Sequence, residues 1–149
     1  MKSANPYLNF NGNTEEAFTF YKSVFGGEFR AVMRFRDFPG NAMGVPDGEL
    51  DKIAHIALPL GNGNMLMATD VVSSMPTTLT VGNNFYITLE PESAKEAETV
   101  FNALAAGGRV GMPLQRTEWA EKHGNCTDKF GVQWMVDYTG NVQFPGGQA

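Results

Sequence analysis

The chain has 149 residues, a formal net charge of -5, 42% hydrophobic residues and 18% charged ones. Such acidity disfavours broad attraction to phosphate, so nucleic acid is not the expected partner; no run approaches the roughly 20 apolar residues of a membrane span, so neither is a bilayer. Cys126 is the single cysteine, which rules out an intrachain disulfide, and with no apolar leader at the start of the sequence the cytoplasm is the expected compartment.

In chain order, residues 7–10 read as a short strand ending at the turn signal Asn11-Gly12. Asn13 and Glu16 have capping-box spacing, and Ala17, Phe20, Tyr21, Val24 and Phe25 follow at helical intervals until Gly26-Gly27 supplies a stop. Alternation over 28–37 predicts a strand with Phe29, Ala31, Met33 and Phe35 on one face and Arg30, Arg34 and Arg36 on the other. Residues 38–50, rich in Pro, Gly and Met, form a long connection. Strands over 52–60 and 65–70 join through Gly61-Asn62-Gly63-Asn64 as a hairpin.

The order then repeats after a linker over 71–83. Residues 84–89 read as a strand, and Ser93 with Glu96 opens a second helix over 93–106. Its apolar residues Ala97, Val100, Phe101, Leu104 and Ala105 match the first helix offset for offset, and Gly107-Gly108 follows. Val110, Met112 and Leu114 alternate as Ala31 and Met33 do. Residues 126–128 lead into a turn at Lys129-Phe130-Gly131, and 132–138 is the closing strand, with Asp137 matched to Asp70. Two βαβββ modules, 7–70 and 84–138, make this an α+β fold built by duplication, and a single domain over 1–149. The tail from Thr139 reads as irregular.

Several side chains stand out against this frame. His55 shares a strand face with Ile53 and Ala57; a general base or a ligand contact is weighed there against a half-buried imidazole bonded to backbone, and the bland reading has the greater weight. Trp119 follows a strand in Arg116-Thr117-Glu118-Trp119, where a binding surface and an aromatic loop anchor are equally good readings. Glu118 beside it is a candidate acid or base, more simply a solvated carboxylate. Trp134 alternates with Val132 and Val136, as core or cleft wall, and Met65 and Met67 suit an adaptable apolar lining. The three-arginine face reads first as solvated surface and second as an anion stripe. Cys126 with His123 is a remote nucleophile pair, and Asp128 and Asp137 read as turn and strand closers.

Asn11-Gly12-Asn13-Thr14-Glu15-Glu16-Ala17-Phe18 with Phe20-Tyr21, Gly108-Arg109-Val110-Gly111-Met112-Pro113-Leu114 and Asp128-Lys129-Phe130-Gly131-Val132-Gln133-Trp134 occur in this order. Together they resemble the vicinal-oxygen-chelate superfamily of glyoxalase I, bleomycin-resistance proteins and extradiol dioxygenases. Within it they resemble the PhnB-like branch that carries a 3-demethylubiquinone-9 3-methyltransferase-like label. The resemblance covers 7–138. It implies eight strands curled around a cleft with the helices outside, frequent homodimers, and a divalent metal held by His and Glu from the first and last strand of each module. The matching positions are Pro6 or Tyr7, Ala68, Phe85 or Tyr86, and Met135, none of them His or Glu. No metal or other cofactor is therefore expected. The Gly cluster 61–63 leads into a strand, so the methyltransferase label finds no cofactor turn. The expectation is a metal-free protein that binds a small, partly apolar ligand through His55, Met67, Trp119 and Trp134, as a cytoplasmic homodimer. The competing expectation is a lyase- or dioxygenase-like enzyme with a rearranged or metal-free site at His55, assisted by Glu118.

Overall fold

The apolar spacing after each cap closes two helices of equal length, α1 (Thr14–Phe25) and α2 (Ala94–Ala105). The structure, a computed structural model, describes residues 1–143. It divides into two compact units, residues 1–80 and the chain from Val81 onward. The first holds β1 (Tyr7–Phe10), α1, β2 (Ala31–Arg34), β3 (Ile53–Gly61) and β4 (Asn64–Asp70), with three short 3-10 turns between β2 and β3. The second holds β5 (Ile87–Leu89), α2, β6 (Arg109–Gln115), β7 (Lys122–Thr127) and β8 (Gln133–Tyr138). Each unit is βαβββ, and the sheets run β1-β4-β3-β2 and β5-β8-β7-β6, open at both ends. In each the first strand pairs parallel with the last and the other pairs are antiparallel. The duplicated α+β fold is as expected, its eight strands divided into two open four-stranded sheets.

One face of each sheet packs under its helix. In the first unit Leu8, Phe10, Ile56, Leu58, Leu66 and Ala68 are buried on the sheet and Ala17, Phe18 and Tyr21 on the helix, with Phe10 edge to face with Phe18. Phe18 and Tyr21 are both fully buried, and burial of side chains this size contributes about 1.5–3 kcal/mol each. In the second unit Trp134, Val136 and Cys126 are buried on the sheet and Ala97, Phe101 and Leu104 on the helix.

The helix starts differ from the expected pair of capping boxes. Ser93 accepts from the Glu96 amide at 3.0 Å, as read, while Glu96 reaches back to the Glu92 amide. Asn13 makes no side-chain cap bond. Its place is taken by Asp70, at the end of β4, which accepts from the Gly12 and Thr14 amides, the Thr14 hydroxyl and the Ile53 amide. A buried carboxylate 57 residues downstream of Asn13 thus satisfies the orphan donors at the helix start. Gly26, at φ 77°, ends α1 and donates to the Lys22 carbonyl.

Strand limits also moved. The strand expected over 28–37 is paired only from Ala31 to Arg34, because Asp37 accepts the Arg34 amide and a 3-10 turn drops Phe35 into a cluster with Val45 and Val72. The strand read from 126 begins at Lys122. The one read from 84 begins at Ile87, leaving Phe85 and Tyr86 exposed. The hairpin turn lies as read, with positive φ at both Asn62 and Gly63. Residues 139–143 hold a turn, and the rest of the predicted irregular tail lies outside the described residues.

Candidate functional site

Side chains alternate across a strand, so the face of each sheet away from its helix is fixed by the same register that fixes the core. In the first unit Tyr7 lies opposite Met67, Met67 opposite Ala57 and Ala57 opposite Ala31. Four residues from four strands therefore form one row on the helix-free face. In the next row His55 lies opposite Met33. Two alanines leave the β3–β2 end of the row shallow, with Met67 and Tyr7 on one side and the His55–Met33 row next to it.

Tyr7 and His55 are joined. The phenol oxygen is 3.0 Å from His55 Nδ1, and the rings stack with centroids 5.7 Å apart. Burial raises the Tyr7 phenol above its ordinary value, so it keeps its proton. A phenol O–H is the better donor and an imidazole nitrogen the better acceptor, so Tyr7 donates to Nδ1. The ring proton of neutral His55 then resides on Nε2.

The helix-free face of the second unit is built in the same way. Thr88, Met135, Asn125 and Met112 form the row, and His123 lies opposite both Asp137 and Gln115. The registers Ile56↔Ala68 and Gly124↔Val136 are separated by 68 residues on both strands, and so are His55 and His123. The two histidines of the chain occupy equivalent places. Here Nδ1 is 3.0 Å from Asp137 Oδ1, and a carboxylate only accepts, so His123 donates through Nδ1 and its Nε2 is left as an acceptor when the ring is neutral. Neither Nε2 has a protein partner, and among the described residues no buried side-chain nitrogen or oxygen lacks one. Both Nε2 atoms therefore reach solvent.

Trp119 stands beside His123, ring centroids 5.1 Å apart and edge to face. The turn 117–120 presents it: the Thr117 hydroxyl accepts from the Trp119 and Ala120 amides, the Thr117 amide donates to the Ala120 carbonyl, and Ala120 is fully buried. Trp119 is 42% exposed. Glu118, from the same turn, lines a shallow depression with Arg116, Thr117 and Asn141.

The structure brings some of the sequence candidates to these faces and takes others away. His55 and Met67 share the first helix-free face, and Trp119 borders the second. Trp134 points to the helix side, fully buried, with its indole N–H on Asp128 Oδ2 at 2.8 Å. Asp128 also accepts from the Phe130 and Val132 amides, so it closes the turn as read. Cys126 is buried on that same side, while His123 is on the other, so they form no nucleophile pair. Burial, then the nearby Asp128, pushes its thiol up to about 11. Two of the three arginines of the polar face are in ion pairs, Arg34 with Glu15 and Arg36 with Asp51. Tyr7 and Asp137 were missed as histidine partners. Matching Asp137 to Asp70 shifted the repeat by one residue, which moves a strand residue to the opposite face.

That shift also bears on metal. At 68 residues the partner of Met135 is Met67, in place of Ala68, and the first-strand positions on these faces are Tyr7 and Thr88. Thioethers, a hydroxyl and a phenol already engaged with His55 are poor ligands for a hard or borderline divalent ion. No group of three or more His, Cys, Asp or Glu side chains among the described residues could hold one.

The comparisons agree with this architecture. The model of a family described as 3-demethylubiquinone-9 3-methyltransferase matches residues 2–137. Protein YjdN of Escherichia coli is 31% identical over 142 residues, covering 89% of this chain and 92% of YjdN. Among solved structures, protein PA1353 from Pseudomonas aeruginosa is 41% identical with a TM-score of 0.81, covering 93% of this chain and 98% of its own. A PhnB protein from Bacillus cereus is 31% identical with a TM-score of 0.66, covering 92% and 99%. A glyoxalase-related enzyme from Fulvimarina pelagi, 17% identical with a TM-score of 0.59 over 97% and 99%, shares the fold.

Proposed function

This chain belongs to the 3-demethylubiquinone-9 3-methyltransferase family, the PhnB-like branch of the vicinal-oxygen-chelate superfamily, and from that premise we propose that it is a metal-independent small-molecule-binding protein of the glyoxalase/bleomycin-resistance type. One observation carries the reading. The helix-free faces keep a fixed histidine beside methionine or tryptophan, while the positions where the superfamily places its metal ligands hold side chains that do not bind such an ion. On the first unit His55 and Met67 are the ligand-contacting residues of this reading, and on the second unit, taken by itself, Trp119 is. Trp134 acts from beneath by holding the strand that carries Met135 and Asp137. The acidity of the chain favours a neutral or cationic guest over an anion.

Methyl transfer, the activity in the family's description, has no support here: the Gly-rich turn 61–63 joins strand to strand, and neither sheet is the parallel one that such a cofactor domain uses. No helix among the described residues is long and apolar enough to cross a membrane. A cytoplasmic homodimer completes the proposal, supported by the exposed Phe38 and Met43 in the connection before β3. Val45, from the same connection, packs with Phe35 and Val72 in the core of its own unit. Metal analysis of protein purified without chelators tests the main point, with native mass spectrometry for a copurified small molecule. Metal well below one ion per chain together with a bound organic species is the expected result; a stoichiometric divalent metal overturns it.

A further inference from the structure

We infer that the second unit carries a recognition site of its own, built from His123, Asp137 and Trp119, for a planar aromatic ligand that bears a hydroxyl or N–H donor. This deepens the binding reading above and rests on it. Three features point to the ligand's chemistry. Asp137 takes the Nδ1 proton of His123 at 3.0 Å, which leaves Nε2 a lone-pair acceptor in the neutral ring. His123 is only 7% exposed, so its orientation is set by packing, yet Nε2 has no protein partner and reaches solvent. Trp119 is 42% exposed beside the imidazole, held there by the turn 117–120.

An acceptor held next to an exposed indole selects a flat apolar body with a donor at its edge. The ring rests on Trp119 and gains from stacking. Its O–H or N–H donates to His123 Nε2, whose position Asp137 fixes through the other nitrogen. Asp137 does not touch the ligand and is a positioning residue. The equivalent place in the first unit has the opposite polarity, because Tyr7 donates to His55 Nδ1 and leaves Nε2 a donor. A ligand with a single donor is therefore specific to the second unit.

Phenol and its methyl ether, anisole, are the probes, since they share a ring and differ in the donor. Both are titrated into the 15N-labelled full chain, following the Trp119 indole signal, which is assigned with Trp119→Phe. Phenol is expected to bind about threefold to tenfold more tightly than anisole, the range of one hydrogen bond. In Asp137→Asn the amide donates to Nδ1, the ring proton moves to Nε2, and the advantage of phenol disappears while anisole binds as before. A purely structural role for Asp137 would weaken both probes alike. Equal binding of the two to the wild-type chain overturns the acceptor role, whether or not the variant folds. No response of Trp119 to either overturns the site. Both failures leave the metal-independent reading standing, because that depends on metal content and on copurified ligand.

Discussion

The two units share topology, register and the placement of one histidine, yet each fixes that histidine and its helix by different means. In the first, Asp70 reaches from β4 to hold the start of α1, and a phenol holds His55. In the second, Ser93 caps α2 locally, the buried carboxylate Asp128 is given to a turn and to Trp134, and a carboxylate holds His123. Duplication has preserved where the groups stand and let their hydrogen-bonding polarity diverge. One chain thereby presents a donor and an acceptor from equivalent positions.

The largest expected effect tests the helix half of this comparison. Asp70→Ala leaves three amides and the Thr14 hydroxyl without their buried acceptor, and should cost about 4 kcal/mol in denaturant unfolding. Trp134→Phe removes one donor to buried Asp128 and should cost about 2 kcal/mol. Ser93→Ala should cost about 1 kcal/mol, the usual value of a local cap. A Ser93 effect as large as that of Asp70 would break the contrast between a long-range and a local cap.

How much of this was legible in the sequence depends on the distance over which each feature is encoded. The helices, their glycine stops and the hairpin turn at 61–64 were readable because capping, 3.6-residue spacing and positive φ are local properties. Phe35 illustrates the first kind of failure. It alternates correctly with Ala31 and Met33, but a bulge and a side-chain bond from Asp37 end the strand one residue earlier. Asp70 illustrates the second: nothing near Asn13 signals that its capping role belongs to a residue on another strand. The histidine partners required the exact register. An offset one residue shorter pairs Asp137 with Asp70, a helix anchor, and hides the match between His55 and His123. That match was available from the spacing of the two histidines themselves, had they been used to align the repeat.

Cys126 gives a smaller test of which face is which. With its thiol pushed up to about 11 by burial, it stays largely a protonated, covered thiol at mildly alkaline pH. Iodoacetamide should leave it unmodified in the folded chain and label it promptly once denaturant is added. Rapid labelling under native conditions would move β7 by one residue and place His123 on the helix side.

The opposite polarity of the two imidazoles can be read directly, because the chain holds two histidines and no more. Long-range 1H–15N correlation spectra of 15N-histidine-labelled protein distinguish the tautomers at about pH 9, where imidazole is ordinarily neutral. One ring should carry its proton on Nε2 and the other on Nδ1, with Tyr7→Phe perturbing the first and Asp137→Asn the second. Two rings in the same tautomer would contradict the division of donor and acceptor between the units.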